Sequence, residues 1–280
     1  ELTARKVQCI ASDIQENYSG SEPCEYLQLD ITDSEAVNNA LRSAMPKRII
    51  HCAAWTAVDA AEEESNRAKV HAINSLGTEN IARACAEIDA IMTYISTDYI
   101  FDGAGTRAWQ PDDENYSPLN YYRQTKLEGE LAVKKYLQKF FIVRIAWVFG
   151  KNGNNFVRTM LKLSQTHDTL RVVNDQIGTP TYTPDLSRLL ADMNETNKFG
   201  IYHATNEGGF ISWYDFAREI FSQAGVNVNV IPVTTEEYGL SKAKRPYNSR
   251  LDKSKLREAG FIPLPDWRDA LRRYLASESD

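Results

Sequence analysis

The sequence has few of the residues and patterns that mark metal sites, membrane segments or nucleic-acid binding. Its four cysteines and four histidines are scattered without the spacing of metal ligands. No apolar run approaches the roughly 18 residues that a membrane-spanning helix needs, and we recognise no secretory signal. A net charge of −6 argues against general nucleic-acid binding, although a nucleotide could still bind in a local pocket. We therefore expect a cytoplasmic protein without a metal, a membrane or a nucleic acid as its partner.

The first half of the chain alternates short β-rich segments with amphipathic helical segments. The pattern predicts strands at residues 7–12, 25–29, 48–54, 91–97 and 140–147, and helices at residues 33–45, 65–88 and 118–137. Strands separated by helices are typical of parallel β-α-β units, so we predict an α/β fold with a doubly wound, Rossmann-like parallel sheet. The pattern loosens after Gly150. We predict a dinucleotide-binding domain at residues 1–150 and a smaller, mainly substrate-binding lobe at residues 151–280.

Ligands of a doubly wound sheet bind at the carboxyl ends of its strands. Several polar, small or aromatic residues fall at or just after the predicted strand ends, namely Asp13, Asp30, Ala53, Ala54, Thr97, Asp98 and Trp147. We therefore expect these residues on one rim of the sheet.

A strand-end hydroxyl is followed by a Tyr and a Lys one helical turn apart. Thr97 ends the predicted fourth strand, and Tyr122 and Lys126 project from the same face of a predicted helix. An ammonium group beside a phenol stabilises the phenolate and lowers the phenol pKa from its usual value of about 10. Such a Tyr can donate a proton to a carbonyl oxygen while a nicotinamide delivers hydride to the carbon. The sequence therefore predicts carbonyl reduction.

Two further motif matches are interpreted as chance. Tyr238 and Lys242 repeat the Tyr-x-x-x-Lys spacing, but no strand with a terminal hydroxyl precedes them. Residues 103–108 fit the pattern G-x-G-x-x-A, but they lead into Trp-Gln-Pro-Asp-Asp rather than into an amphipathic helix. We therefore assign neither of them to the predicted site.

With these residues in place, the chain resembles the extended short-chain dehydrogenases/reductases, and within them the dTDP-4-dehydrorhamnose reductase family. The resemblance covers nearly the whole chain from about Val7 onward. It is carried by residues 52–59 (CAAWTAVD), 95–103 (ISTDYIFDG), 125–130 (TKLEGE), 143–150 (VRIAWVFG), 154–157 (NNFV), 172–181 (VVNDQIGTPT), 212–217 (SWYDFA) and 244–246 (KRP). It implies reduction of the 4-keto group of dTDP-4-dehydro-β-L-rhamnose to dTDP-L-rhamnose, with NADPH or NADH as cofactor and a homodimer as a further expectation.

The resemblance also implies roles for individual residues. Thr97, Tyr122 and Lys126 would be the catalytic hydroxyl, the proton donor and the Lys that holds the nicotinamide ribose. The other implied cofactor-binding residues are Asp13 at the adenosine ribose, Asp30 and Ile31 beside the adenine, and Ala53, Ala54, Trp55 and Thr56 along the cofactor channel. Thr97, Asp98 and Trp147 would contact the substrate. An acidic residue at position 13 repels a 2′-phosphate, which favours NADH or the use of both cofactors.

The chain departs from the family pattern at three places. We interpret residues 1–6 as the tail of a first helix, so that the first strand and the Gly-rich turn of such folds are missing. The sequence would then be an incomplete copy of a longer enzyme, or a variant that has dispensed with dinucleotide binding. Arg123 stands where Gly is usual, and its side chain could face solvent or reach a phosphate. Ile145 stands where Thr is usual, which removes one hydroxyl near the sugar.

A second functional hypothesis is a non-catalytic relative that serves as a binding or regulatory subunit. A related branch acts in this way, as the regulatory subunit of a methionine adenosyltransferase. The missing Gly-rich turn favours this hypothesis, whereas the joint presence of Thr97, Tyr122, Lys126 and Trp147 favours the enzyme.

Overall fold

The computed structural model describes residues 1–18, 20, 23–114, 116–118, 120–239 and 242–278. The chain divides into two compact units. Unit 1 comprises residues 1–96, 118–143 and 190–201, and unit 2 comprises residues 97–117, 144–189 and 202–280. The sequence analysis placed one boundary near residue 150, whereas the chain passes repeatedly between the two units. The assignment of dinucleotide binding to residues 1–150 and of substrate binding to residues 151–280 stays a prediction.

The strands, in chain order, are β1 Ile10–Asp13, β2 Glu25–Gln28, β3 Arg48–His51, β4 Ile91–Thr97, β5 Phe140–Ile145, β6 Val148–Phe149, β7 Thr169–Val173, β8 Ile177–Gly178, β9 Thr181–Tyr182, β10 Gly200–His203, β11 Ile211–Ser212 and β12 Asn229–Val233. The helices are α1 Ser34–Ala44, α2 Val58–Ala61, α3 Glu64–His71, α4 Thr78–Glu87, α5 Tyr121–Tyr136, α6 Phe156–Ser164, α7 Thr183–Asn194, α8 Trp213–Ala224, α9 Thr235–Tyr238, α10 Ser254–Glu258 and α11 Trp267–Glu278. A π-helical turn at Ala72–Gly77 joins α3 to α4, and a 3-10 turn at Asp98–Ile100 follows β4.

The main sheet has four strands in the order β10-β5-β4-β3, and β3 pairs parallel with β4. A separate two-stranded sheet is formed by β1 and β2, which are also parallel. Helix α1 connects β2 to β3, and helices α2, α3 and α4 connect β3 to β4. The crossover from β3 to β4 is a parallel β-α-β unit of the kind that the alternating pattern predicts, and the predicted α/β fold is confirmed.

All five strands predicted in the first half are present, and β4 agrees with its prediction from end to end. The strand β3 ends at His51, earlier than predicted, because the following loop is held by hydrogen bonds from Asn74 rather than by a neighbouring strand. The strand β5 ends at Ile145 because the backbone of Trp147 has a φ of 49°, which no strand can contain. The hydrophobic pattern thus locates the strands, and tertiary contacts set where they stop.

Local capping explains where the first helix begins and ends. The Asp33 carboxylate accepts hydrogen bonds from the backbone N–H groups of Glu35 and Ala36, which satisfies two of the free donors at the start of α1. Met45 caps the other end in the left-handed conformation. The helix predicted at residues 65–88 is present in three parts, because the π-helical turn interrupts the regular hydrogen-bonding pattern.

Unit 1 has its own apolar core, in which α1, α4 and α5 contribute buried side chains together with the strands. Its fully buried members are Val37, Ala82, Cys85, Met92, Tyr94, Val133 and Ile142. Unit 2 has a second core that is rich in aromatic rings, including Phe149, Tyr182, Phe216, Trp267 and Tyr274. No helix of the described ranges combines the length and the apolar character that crossing a bilayer requires.

A glycine allows α5 to approach the π-helical turn closely. A Cβ at Gly129 would lie 2.5 Å from the Tyr94 hydroxyl oxygen and 2.8 Å from the backbone oxygen of Asn74. We expect Gly129→Ala to lower the free energy of unfolding by about 1–3 kcal/mol, because overpacking outweighs the better helix propensity of Ala. Urea unfolding measures this change. The control is Gln124→Ala at an exposed position of the same helix, and equal effects of the two substitutions would contradict the close-packing argument.

Candidate active site

The Tyr and Lys singled out in the sequence lie on one helix of unit 1. Helix α5 begins at Tyr121, where the Asn120 side chain accepts a hydrogen bond from the backbone N–H of Arg123. The predicted start at Pro118 is therefore too early by one turn, and Leu119 lies outside the described residues. Tyr122 is 8% exposed and Lys126 is 3% exposed, so both predicted side chains are buried.

The Lys126 ammonium group lies in an apolar and aromatic environment. Its Nζ donates a hydrogen bond of 2.8 Å to the backbone oxygen of Ile95 and lies 4.1 Å from the centroid of the Tyr94 ring. Burial lowers the pKa of Lys126 to about 7, and the nearby Glu130 carboxylate only partly opposes this effect. Near neutral pH the group is therefore poised between its charged and neutral forms.

The hydrogen-bonding capacity of Lys126 is only partly used. A Lys ammonium has three donors, and within the part of the chain that the structure describes the Ile95 oxygen is the one acceptor that it reaches. Buried donors need acceptors, so this position suits a ligand that presents hydroxyl oxygens. The ribose of a nicotinamide nucleotide has such hydroxyls, and on this observation Lys126 fits the expected cofactor.

Thr97 and Asp98 lie in unit 2, directly after the Ile95 and Ser96 that end the β4 portion of unit 1. The Thr97 hydroxyl donates a hydrogen bond of 3.0 Å to the Asp98 carboxylate and accepts one from the backbone N–H of Tyr99. Thr97 thus caps the 3-10 turn. Both side chains are buried, at 8% and 3% exposure.

The predicted adenosine-side residues follow β1 and β2 in unit 1. The exposed Asp13 ends β1, and its backbone oxygen accepts a hydrogen bond from Leu29, the residue before Asp30. The Asp30 carboxylate is exposed and accepts hydrogen bonds from the N–H and hydroxyl of Thr32. The Ile31 side chain packs on the π-helical turn. The ends of β1 and β2 therefore lie side by side, and the common rim with the other predicted site residues stays a prediction.

The segment after β3 contains Ala53, Ala54, Trp55 and Thr56, and it is tied to the rest of unit 1 by an Asn that the sequence analysis missed. Asn74 is fully buried in the π-helical turn. Its side chain accepts a hydrogen bond from the Trp55 N–H and donates to the Trp55 oxygen and to the Thr125 hydroxyl, over 2.8, 3.2 and 3.2 Å. Asn74 therefore connects the loop after β3 with α5. The sequence does contain a signal for Asn74. It is a polar residue on the apolar face of a predicted helix, four residues after Val70 and four residues before Thr78.

Two of the three departures from the family pattern are single residues, and both are buried. Arg123 has 0% exposure, so its side chain does not face solvent, which was one of the two placements left open by the sequence. Ile145 is 9% exposed at the end of β5. Trp147 lies two residues further on in unit 2 and stacks on Trp213. Ile145 is thus a buried apolar residue and offers no polar side-chain group at this position.

The second Tyr-x-x-x-Lys match does not form a pair on one helix. Helix α9 ends at Tyr238, because Gly239 takes a left-handed φ of 61° and caps it. Leu240 and Ser241 lie outside the described residues. Tyr238 and Lys242 therefore do not share α9, and the interpretation of this match as chance stays a prediction.

The residues predicted for the site fall into two sets. Unit 1 holds Asp13, Asp30, Ile31, Ala53, Ala54, Trp55, Thr56, Tyr122 and Lys126, and unit 2 holds Thr97, Asp98 and Trp147. Within unit 1, Asn74 joins the Trp55 segment to the helix of Tyr122 and Lys126. Within unit 2, Thr97 is hydrogen-bonded to Asp98. The cofactor and substrate roles of these residues stay predictions.

Parallel β-α-β units, with a buried Tyr–Lys pair on the helix that follows β4, define an α/β protein with the Rossmann-like fold. The sequence matches the family described as the RmlD substrate binding domain over residues 2–279. This chain belongs to that family. A dTDP-4-dehydrorhamnose reductase of Streptomyces griseus is 42% identical over 249 residues, which cover 87% of this chain and 81% of that protein.

Solved structures agree with this assignment. The dTDP-4-dehydrorhamnose reductase of Bacillus anthracis, in complex with NADP, is 39% identical with a TM-score of 0.83, covering 91% of this chain and 90% of that one. A dTDP-4-dehydrorhamnose reductase of Clostridium acetobutylicum is 40% identical with a TM-score of 0.86, covering 93% and 92%. In both of these structural comparisons, the similarity thus covers nearly the full length of this chain and of the solved structure.

Proposed function

We propose that this chain is an NAD(P)H-dependent reductase of dTDP-rhamnose biosynthesis, which reduces the 4-keto group of dTDP-4-dehydro-β-L-rhamnose to dTDP-L-rhamnose. The observation that carries the proposal is the buried pair of Tyr122 and Lys126 on α5, with the Lys126 ammonium bonded to the strand that ends in Thr97. The names of the relatives from Streptomyces griseus and Bacillus anthracis support the same substrate and reaction.

The cofactor would be held by residues of unit 1. Lys126 has ammonium donors to spare for ribose hydroxyls, and the exposed Asp13 carboxylate at the end of β1 suits the adenosine ribose. Asp30 and Ile31 would flank the adenine, and Ala53, Ala54, Trp55 and Thr56 would line the channel. Asp13 disfavours a 2′-phosphate, whereas the relative from Bacillus anthracis is crystallised with NADP. We therefore propose that both NADH and NADPH are used.

When bound, the reduced nicotinamide supplies hydride to the carbonyl carbon. Tyr122 donates its phenolic proton to the carbonyl oxygen, so that the ketone gains one hydride and one proton and becomes an alcohol. The phenolate left on Tyr122 is stabilised when Lys126 is charged. A bound ribose would raise the lowered pKa of Lys126, because its hydroxyls satisfy the ammonium donors.

The substrate contacts would come from unit 2. The Thr97 hydroxyl now donates to Asp98, so it must rotate away from that carboxylate before it can donate to the substrate carbonyl oxygen. Asp98, freed of that hydrogen bond, could then accept one from a sugar hydroxyl. Trp147 would pack against the sugar ring.

A cytoplasmic location and a homodimer, both expected in the sequence analysis, are also proposed. We also propose that the reaction uses no metal, as the sequence analysis expected. The regulatory-subunit alternative has less support, because the relatives compared above are reductases by name.

The direct test is to incubate the purified chain with enzymatically prepared dTDP-4-dehydro-β-L-rhamnose and either NADPH or NADH. We expect cofactor oxidation and formation of dTDP-L-rhamnose, identified by mass spectrometry and chromatography against a standard. Substrate binding without turnover, with either cofactor, would overturn the enzyme proposal and favour a binding subunit. A control without substrate measures background oxidation of the cofactor.

A further inference from the structure

Trp147 has a strained backbone that the surrounding residues hold in place. Its φ of 49° lies in the left-handed region, which is unfavourable for a bulky side chain. The backbone N–H of Thr181 donates to the Trp147 oxygen over 3.2 Å, and the Thr181 hydroxyl donates to the Ala146 oxygen over 2.6 Å. Such strain persists only where neighbouring contacts over-determine the conformation, and it is common at functional sites.

The indole of Trp147 is fixed on two sides. It stacks on Trp213, with ring centroids 3.7 Å apart and planes inclined by 16°. Gly178 lies against the same ring, since a Cβ at that position would come within 2.9 Å of the Trp147 Cε2 atom. Trp147 as a whole is only partly buried, so part of the residue stays accessible to solvent.

One pair of short strands positions both neighbours of the Trp147 ring. Gly178 of β8 pairs with Ile211 of β11, and Ser212 follows in the same strand. Trp213 is the next residue and the first of α8, whose start is fixed by a capping box between Ser212 and Asp215. The location of Trp213 is therefore set by backbone pairing and capping rather than by its own side-chain packing alone.

We propose that Trp213 is a positioning residue for substrate recognition: it holds the Trp147 indole where that ring contacts the sugar of the nucleotide-sugar substrate. This inference rests on the proposed function and on the sugar contact proposed for Trp147. Trp213 acts through Trp147, so it sets the affinity for the sugar part of the ligand and not for the nucleotide part. Aromatic stacking supplies the energy, since offset or stacked aromatic pairs stabilise beyond their buried area.

The test compares the dissociation constants of dTDP-L-rhamnose and of dTDP by isothermal calorimetry. We expect Trp213→Leu to weaken binding of dTDP-L-rhamnose by about fivefold to tenfold and to leave dTDP binding unchanged. Trp213→Phe keeps an aromatic face and should bind within about twofold of the unmodified chain. In a Trp147→Leu background, Trp213→Leu should have no further effect, because the group that it positions is gone. Tyr214→Leu, at the next position of α8, is the control and should change neither constant.

A spectroscopic measurement tests the pairing without any ligand. Two indoles with ring centroids 3.7 Å apart couple their electronic transitions. The far-ultraviolet circular dichroism spectrum should therefore contain an exciton couplet. Trp147→Leu and Trp213→Phe should each remove this couplet. Gly178→Ala provides a second perturbation if Trp213→Leu fails to fold, because the added methyl group would come too close to the Trp147 ring and displace it. It should weaken binding of dTDP-L-rhamnose in the same selective way.

The possible failures are distinguishable. If the unmodified chain binds neither dTDP nor dTDP-L-rhamnose, the proposed function and this inference are both overturned. If Trp147→Leu selectively weakens dTDP-L-rhamnose binding but Trp213→Leu and Gly178→Ala do not, the function stands and the positioning role of Trp213 is wrong. Equal loss of dTDP and dTDP-L-rhamnose binding in Trp213→Leu would point to a general structural effect and would also overturn the inference.

Discussion

Replacing Tyr122 by Phe is expected to lower kcat for reduction of dTDP-4-dehydro-β-L-rhamnose by about a hundredfold to ten-thousandfold, the usual contribution of a positioned proton donor. The substitution removes one hydroxyl from a buried ring and leaves the ring itself in place. Binding of dTDP-L-rhamnose and of the cofactor should therefore change little. Steady-state kinetics and calorimetric binding measure the two quantities separately.

Tyr238→Phe is a matched control for this experiment. Tyr238 belongs to the second Tyr-x-x-x-Lys match, but its side chain is 37% exposed and its helix ends at that residue. Its substitution should leave kcat unchanged. Turnover of Tyr122→Phe close to that of the unmodified enzyme would mean that another group donates the proton, and the proposed mechanism would then be abandoned.

Replacing Lys126 by Met is expected to reduce activity about a hundredfold or more while making the protein more stable at and below neutral pH. The stability gain follows from the lowered pKa. The unfolded chain has Lys126 at its ordinary pKa of 10.5, whereas burial lowers the folded pKa to about 7. Between these two values the unfolded state binds the proton more readily, so this group makes stability rise as pH increases through that range. Below the pKa of the folded state, Lys126 is charged in both states, and burial of that charge lowers the free energy of unfolding by its full amount.

Removing the ammonium group should therefore stabilise the fold most strongly below the folded pKa of about 7 and least near the ordinary value of 10.5. We expect a maximal gain of the order of 3 kcal/mol, since one pKa unit corresponds to about 1.4 kcal/mol and the hydrogen bond to Ile95 is lost. Urea unfolding of the variant and the unmodified chain across this pH range gives the difference directly. Lys135→Met is the control, because Lys135 lies on the same helix with a 66% exposed side chain, and it should show no such gain. A loss of stability for Lys126→Met at every pH would contradict the assigned cause of the lowered pKa.

Much of the fold was predictable because its signals are local. Strand β4 agrees with its prediction from end to end, and helix α1 begins after Asp33 as its capping pattern indicates. The common face of Tyr122 and Lys126 follows from helical spacing alone. These features depend on residues close together in sequence, so hydrophobic period and capping chemistry are sufficient to find them.

Other features depend on residues that are far apart in sequence. The left-handed Trp147 backbone ended β5 two residues before the predicted end. Asn74 was missed because its partners, Trp55 and Thr125, lie 19 and 51 residues away. The hydrophobic pattern indicates which residues prefer burial but not which groups they will contact. It therefore contains no signal for the Trp147 backbone conformation or for the hydrogen-bond partners of Asn74.

By itself, the sequence determined the α/β class, the family and the residue types available for proton transfer. Only the tertiary structure decided that Lys126 is buried against Tyr94 with its pKa lowered to about 7, that Arg123 is buried, and that Trp213 stacks on Trp147. The physical reason is that a pKa and a side-chain orientation depend on desolvation and on long-range neighbours. Both arise only when segments distant in the chain pack together.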